Sequence, residues 1–561
     1  MKMTIPDKRR FLLLFLSIYA LTKANGQGSH VPLDRDYYQL IERYGILEGQ
    51  LNQHFNTGFK PYRRSDVAAF ADALSESPQE RNRVDRFNLR YLRDENWEFS
   101  KEETWNSSRP WKGLYRKPAD FFHYRDEVFD VHINPVLYFL GGTGAGQDNF
   151  RFRNTRGIRL RGSIDRKIGF YTFLATTETV LPEWGRSYAM HQGAIPGEGF
   201  WKPYGESGYS YFSATGYLTF QITPHIAAQL GQDRNFVGEG YRSLILSDFS
   251  SPYMFFKLNT KIWKLNFTNL WGQMNADIIY NRGRPTDRRY PQKWFSHHRL
   301  SINLGRKLNV AVFESVMASQ FDWNYLNPVI FYRWVEHQLG TPDKVMLGAD
   351  FKWNFVPSMQ VYGQFVLDEF VFKEFFEISG SKSSRNKHGL QLGYKYPGLF
   401  QISNLDLQLE YNQVRPYTFQ EKFDYQSFSN YRTPLTHPRG ANFQEILAIL
   451  HYQPLPRLRV VATGAYQRFG TDPEATDNYG GDILKSRVSQ STPLFGNKIG
   501  QGLENKLMMG HIVASFMLKH NLFLDAGQTV RRHVVAGGQP ETAFSTEVAL
   551  RLNINRQEFN Y

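Results

Sequence analysis

Residues 231–247, GQDRNFVGEGYRSLILS, gather hydrogen-bonding and charged groups in a region that otherwise alternates apolar and polar residues. Asp233, Arg234, Asn235 and Arg242 can pair with opposite charges or hold the hydroxyls of a ligand. Gly238 and Gly240 permit a sharp backbone bend that other residues resist. Two readings are open: a salt-bridge network that rigidifies an interior, or a polar shelf that grips a sugar or an acidic ligand. Asn327, Pro328, Arg333 and Glu336, in NPVIFYRWVE with Tyr332, are expected as a second interior motif with the same two readings.

Aromatic side chains beside charged donors suit sugars, which present apolar C–H faces and rims of hydroxyls. WGRSYAMHQGAIPGEGFWKPYGESGYSYF sets Trp184, Trp201, Tyr204 and Tyr209 among glycines, and RPYTFQEKFDYQSFSNYR sets Arg415, Tyr417, Tyr425 and Tyr431 together. These eight are the candidate ligand-binding residues. The alternative for aromatics near strand ends is a membrane-interface girdle.

Patterns for catalysis are poor. GGTGAG at 141–146 is followed by Gln147 where GxGxxG needs glycine, and GESGYS at 205–210 does not make GxSxG. TDPEATDNYGGD gathers Asp472, Glu474, Asp477 and Asp482, but without EF-hand spacing. His297-His298 reads as a surface pair. The absence of cysteine removes thiolate nucleophiles, zinc–thiolate sites, disulfides and a lipidated N-terminus. No enzyme, cofactor or metal is expected.

The elements that must position these residues fall into three regimes. Lys8, Arg9 and Arg10 precede an apolar run from Phe11 to Leu21 and then Ala24-Asn25-Gly26, the layout of a signal peptide over residues 1–26. Residues 27–118 read as a small helical domain: Asp34 caps a segment with Tyr37, Leu40, Ile41 and Tyr44 on one face, Ser65 caps DVAAFADAL, and residues 77–97 form a charged third helix. Residues 119–561 change to period two. NLDLQLEYN places Leu405, Leu407, Leu409 and Tyr411 opposite Asp406, Gln408, Glu410 and Asn412, and EVALRLNI repeats the pattern.

Alternation alone fits a soluble sandwich or a membrane barrel. Loop lengths separate them. Eight short turns occur at Asp165–Lys167, Thr223–His225, Asn259–Lys261, Gly305–Lys307, Val356–Ser358, Tyr396–Gly398, Pro454–Pro456 and Lys519–Asn521, with nine longer connections between and outside them. The sequence therefore predicts an all-β transmembrane barrel of about 18 antiparallel strands with a small N-terminal α-helical domain. The roughly 430 residues from Phe129 give about 24 per strand with its connection, ample for membrane strands of about 10 residues. Tyr561 as a terminal aromatic fits an outer-membrane barrel. The even count places the helical domain on the periplasmic side and the long loops outside the cell.

Formal net charge is +14, and removing residues 1–26 takes away five basic residues and one acid to leave +10. For an exported chain the counter-charges are anionic lipid head groups or acidic polysaccharide, and nucleic acid is not an expected partner.

Four blocks carry a resemblance: GQDRNFVGEGYRSLILSD at 231–248, WNYLNPVIFYRWVEHQLGTPDKVMLGAD at 323–350, YNQVRPYTFQ at 411–420 and PLTHPRGANFQE at 434–445. In order and spacing the chain resembles the Wzi family of capsule-assembly outer-membrane proteins. It departs from that family where a Trp-Gly-Pro-Gly run is usual, having Val237-Gly238-Glu239-Gly240. The resemblance implies a large barrel whose periplasmic mouth is closed by a helical bundle, and the binding or attachment of surface polysaccharide or lipopolysaccharide without catalysis. Outer-membrane lipid is the expected surrounding. The alternative is an accessory subunit of a larger outer-membrane machine for protein export, barrel assembly or gliding motility, with other outer-membrane proteins as partners. A diffusion porin is the third class.

Overall fold

The computed structural model describes residues 28–561 apart from 79, 102–113, 145–149, 277–289, 330, 341–342, 372, 375–382 and 424–425. The expected signal peptide and Tyr425 lie outside the described residues.

Three helices open the chain: α1 (Arg35–Leu47), α2 (Arg64–Glu76) and α3 (Arg83–Glu95). Asp34 caps α1 by accepting from the Asp36 and Tyr37 N–H groups at 2.9 and 3.2 Å. The expected cap at Ser65 is displaced by two residues: α2 starts at Arg64, after Arg63, and has no side-chain cap. Tyr38, Ile41, Tyr44, Val67, Phe70, Leu89 and Leu92 form the core between the helices. No described helix is long and apolar enough to cross a membrane.

Crossing belongs to strands. The wall consists of β1 (Phe129–Thr143), β2 (Phe150–Ile164), β3 (Ile168–Val180), β4 (Gly208–Thr223), β5 (Ile226–Asp233), β6 (Tyr253–Ile262), β7 (Leu265–Asn275), β8 (Gln292–Leu304) and β9 (Leu308–Ala318). It continues through β10 (Lys344–Val356), β11 (Met359–Glu369), β12 (Lys387–Pro397), β13 (Leu405–Val414), β14 (Phe443–Leu455), β15 (Leu458–Thr471), β16 (Leu503–Lys519), β17 (Leu522–Val535) and β18 (Glu541–Leu552). Each pairs antiparallel with its neighbours, and β18 closes on β1 through Leu552↔Leu137 to Glu547↔Gly142. The result is a closed barrel of 18 strands with no free sheet edge at the seam.

The alternation now has a direction. On β13, Asp406, Glu410 and Asn412 are buried in the lumen while Leu409 faces out, and on β18 Glu547 and Arg551 are inside while Val548 and Leu550 are exposed. Apolar residues outside and polar residues inside is the membrane-barrel arrangement, the inverse of a soluble sandwich. The short turns fall where expected with two exceptions. Tyr396 and Pro397 are ladder residues paired with Leu407 and Asp406, and the connection there runs over residues 398–404. β6 runs on to Ile262 and turns at Trp263-Lys264, because Asn259, Thr260 and Lys261 pair with Thr268, Phe267 and Asn266 as ladder residues. Polar residues facing a wet lumen imitate a turn signal.

The helices dock against the short-turn end. Arg43 pairs with Asp406, Glu42 with Lys395 at 2.6 Å, and Asn88 with Gln453 at 2.8 Å. Glu95 is the densest latch: it accepts from Asn521 at 2.7 Å, lies 3.0 Å from His520 Nε2 in the β16–β17 turn, and pairs with Arg64 at 3.2 Å. Burial pushes its carboxyl up, but His520, Arg64 and Arg159 outweigh burial and hold it well below the usual carboxylate range. A depressed folded pKa stabilises docking above the ordinary glutamate pKa of about 4.3, and that stabilisation is lost as pH falls below it. The protection factors of the α1–α3 amides, taken relative to the intrinsic exchange rate at each pH, should therefore be high at neutral pH and fall as pH drops below about 4.3, before the barrel loses its heat-modifiable folded band. Protection that does not change with pH would remove Glu95 as the latch.

Candidate functional site

The glycine-hinged insert turns inward. After β5 the chain leaves the wall at Asp233, and Phe236–Val237 pairs antiparallel with Phe59–Lys60 of the helical domain. Gly238 has φ +119°, and a Cβ on Gly240 would lie 2.6–2.7 Å from the Arg242 carbonyl, Gln391 and Glu410. The bend expected at these two glycines is present, and it brings the backbone against the wall. The Tyr241 and Arg242 N–H groups donate to Glu410 at 2.7 and 3.0 Å. Arg242 pairs with Glu445 at 3.2 Å, and Glu445 also takes hydrogen bonds from Gln467 and Asn412 and meets His437 at 2.8 Å. Lys352 pairs with Glu239 at 3.0 Å, while Lys395 donates to the Glu239 carbonyl at 2.6 Å. Three of the four blocks quoted above, 231–248, 411–420 and 434–445, thus meet in the lumen.

Beyond this clamp the insert becomes apolar. Leu244, Ile245 and Leu246 pack with Phe255, Phe295, Phe313 and Met346 of the wall and with Phe419, Phe428 and Leu435 of a second inward-folded loop, residues 415–442. One side of the lumen is therefore a dry core. The segment following β18 also enters the lumen and carries the aromatic Tyr561 inside. Arg556 and Glu558 join Asp36 and Arg35 of α1, Arg242 donates to the Asn560 carbonyl, and Tyr561 packs on Tyr188 and Phe249 with ring centroids 5.0 and 5.4 Å apart.

The opposite side is polar. Arg151, Arg153, Arg159 and Arg161 are all buried on the lumen face of β2. Arg151 pairs with Glu547 at 2.8 Å and Arg161 with Glu98, whereas Arg153 has no carboxylate partner among the described residues and Arg159 reaches Glu95 only at 3.7 Å. These two, with Tyr171, Glu198, Asp233, Arg234 and Tyr431, line a cavity of about 450 Å³. Four buried polar atoms on its walls, Arg159 Nε, Arg234 Nε, Ser251 Oγ and Tyr561 Oη, have no hydrogen-bond partner among the described residues. The arrangement offers donors, acceptors and aromatic faces together. The arginine column was legible as RFRNTRGIRLR, with Arg151, Arg153, Arg159 and Arg161 an even number of residues apart, and it is the feature that sequence reasoning missed.

The expected aromatic platform is mostly core. Trp184 is buried on α4 (Glu183–Gln192) and donates to the Phe559 carbonyl at 2.9 Å. Tyr209 is buried edge-on to the half-buried Trp201, and Tyr417 is 1 % exposed with its hydroxyl on Asn478 and Thr492. Arg415 donates to the Ser383 carbonyl at 3.1 Å. Among the described residues of the set, Tyr204 is 40 % exposed, and Tyr431 is half-buried at the cavity and bonded to Tyr290. The loops fold on themselves at the barrel mouth, so their aromatics fill a core that a sequence reading assigns to solvent. Asn235 is buried between Tyr253 and Lys257, inside as expected.

Asn327, Pro328, Arg333 and Glu336 are not in the lumen. They belong to residues 319–343, which fold over the outer face of the wall with α5 (Tyr332–Leu339). Outward-facing Asn269, His298 and Glu314 stand in register on β7, β8 and β9. Glu314 accepts from the Tyr332 and Arg333 N–H groups at 2.6 and 2.8 Å, and Tyr332 stacks on His298 at 4.3 Å. The motif satisfies a polar row that hydrocarbon could not. Arg333 and Glu336 pair with each other at 3.0 Å on the exposed side. In the acidic loop, Lys485 Nζ sits 2.7 Å from Asp472, and no metal-ligand cluster occurs among the described residues.

Neither a family model nor a curated protein matches the sequence. Among solved structures the fold is similar to Wzi of Escherichia coli, an outer-membrane protein involved in group 1 capsule assembly and a carbohydrate-binding β-barrel. The identity is 12 %, the match covers 94 % of this chain and 100 % of that one, and the TM-score is 0.55. OprD of Pseudomonas aeruginosa matches at 11 % identity over 75 % of this chain and 95 % of that one with a TM-score of 0.39, and OccAB2 of Acinetobacter baumannii at 11 % over 76 % and 99 % with 0.41. The likeness to Wzi speaks for the fold, an outer-membrane type of barrel.

Losing one partner of a buried charge pair costs about 3–5 kcal/mol. Arg242→Ala, which strips Glu445 of its guanidinium, should lower the temperature at which the folded band disappears in heat-modifiability gels. Tyr204→Ser should leave that temperature unchanged. Equal behaviour of the two variants would contradict the clamp.

Proposed function

We propose that this protein is a non-catalytic outer-membrane barrel that binds surface polysaccharide. The observation that carries the reading is the cavity beside β2 and β3, where Arg153 and Arg159 lack close carboxylate partners among the described residues and line the same walls as Tyr171 and Tyr431. Saccharides offer hydroxyls and carboxylates to such donors and C–H faces to such rings. The E. coli Wzi fold, itself a carbohydrate-binding barrel, supports the same reading. The helical domain then lies in the periplasm and the long loops face outward. A diffusion porin is disfavoured by a lumen occupied by two inward loops, residues 553–561 and the helical domain's Phe59–Lys60 strand.

Hydrogen bonds to charged groups contribute about 1.5–3 kcal/mol each, so replacing Arg153 and Arg159 by Gln and Tyr431 by Ser together should weaken binding at least about tenfold while the folded band persists. Calorimetry with polysaccharide purified from the source cell surface measures this. Wild-type affinity in a folded triple variant would overturn the site.

A second reading, an accessory subunit of an outer-membrane machine, rests on a separate observation. The segment folded over the outer wall exposes Trp323, Phe331 and Trp334. If these dock a protein, purification in mild detergent should bring down a stoichiometric partner that is lost on replacing Phe331 and Trp334 by Ala. Its absence from the wild-type preparation would dispose of this reading.

A further inference from the structure

The wall is incomplete beside the cavity. β4 has sixteen residues but β5 has eight, and β5 pairs with β4 only between Gly216 and Thr223. A short strand, Lys202–Tyr204, covers Gly208–Ser210. It must lie on the same edge as β5, because Tyr209 and Ser210 already pair with Thr179 and Glu178 of β3 on the other. Between these two partners, Tyr211–Thr215 has no strand partner on that edge among the described residues. Across the gap β6 begins only at Tyr253, level with Asp233. Five strand residues at about 3.3 Å each make a window roughly 17 Å long.

The cavity passes through this window. Its lining includes Ser213 and Thr215, which share the lumen face of β4 with buried Tyr211 and Tyr217, and also Phe212 and Ala214 on the opposite, outward face. Successive strand residues point to opposite sides, so a cavity confined to the lumen would not reach both sets. The outside of the opening is apolar, with Phe212 65 %, Phe200 55 % and Met254 43 % exposed. Inside are Arg159 Nε, Arg234 Nε and Ser251 Oγ, which have no hydrogen-bond partner among the described residues.

Height places the opening. Tyr211–Thr215 lies eight to twelve residues from the turn after Thr223, which with tilted strands is about 20–30 Å up a hydrocarbon band about 25 Å tall. With the long loops outside the cell, that is the level of the outer leaflet. A free strand edge facing hydrocarbon leaves N–H and C=O groups unsatisfied. A ligand with hydroxyls at this depth satisfies them.

We infer that the window between β4 and β6 is a lateral portal through which the saccharide headgroup of an outer-leaflet glycolipid enters the cavity, its acyl chains remaining in the membrane against Phe200, Phe212 and Met254. The inference rests on the polysaccharide reading and narrows it to sugar still attached to lipid. Its polar walls take the headgroup and its apolar rim takes the chain roots.

The test uses the full-length protein in nanodiscs with a photo-crosslinking amino acid at Ala214, at Phe212 as a second portal position, and at Phe544, which faces outward on β18 at a similar height, as the control. Discs contain either the lipopolysaccharide of the source membrane or phosphatidylglycerol alone. Crosslinking to lipopolysaccharide at Ala214 or Phe212 should exceed that at Phe544 several-fold, and should exceed crosslinking to phosphatidylglycerol at the same position. Equal lipopolysaccharide yields at portal and control, or equal yields of the two lipids at the portal, would overturn the portal. Calorimetry with free polysaccharide on the wild type runs in parallel: binding there without selective crosslinking leaves the polysaccharide reading standing and the portal refuted, and no binding there refutes the reading on its own ground.

Discussion

A wall of eighteen strands encloses more space than its own side chains can fill, and the rest of the molecule is arranged by how that space is taken up. The chain fills it from three directions. Helices dock at the short-turn end, two long loops fold in from the other end, and the segment after β18 returns up the interior. Each of these carries backbone into a region at membrane depth, where unpaired N–H and C=O groups are costly. The two-residue strand formed by Phe59–Lys60 with Phe236–Val237 and the carboxylate of Glu410 on the Tyr241 and Arg242 N–H groups answer that cost. The polar lumen wall is thus a set of partners for the filling as much as for itself.

The filling is lopsided, and this asymmetry creates the site. Toward β6–β14 the inward loops contribute leucine and phenylalanine and meet phenylalanine and methionine from the wall. Toward β2–β4 they present charge to an arginine column, and the cavity of about 450 Å³ remains. The same loop therefore has two chemical faces, with Gly238 and Gly240 setting the bend between them. A residue with a Cβ at Gly240 would push the loop from Glu410 and loosen both halves together.

The fold was legible because a membrane barrel writes it twice, once in period-two alternation and once in unequal loops. The helical domain was legible from Asp34 and the apolar spacing after it. What sequence could not show is the direction in which a long loop folds. Trp184 and Tyr417 look like solvent-facing platforms in a glycine-rich stretch, yet each is held by a loop or segment distant in sequence, Phe559 and Asn478 respectively. Asn327 to Glu336 failed for the mirror reason: a polar row on the outer wall, Asn269, His298 and Glu314, draws that loop outward. Both errors come from partners remote in the chain. The arginines of β2 were a different failure, since their spacing was visible in one short stretch.

The meeting of Arg35 with Glu558, 523 residues apart, has a consequence for how the molecule is made. Entropy of loop closure rises with the length of chain enclosed, and here nearly all of it is enclosed. The interior cannot be completed by either half alone, because α1 must wait for residues synthesised 523 positions after it. Until then Arg35, Asp36 and Arg242 face an unfilled lumen as unpaired or half-paired charges. Completing the interior therefore takes a docking of α1 with the segment after β18 in addition to the closure of β18 on β1.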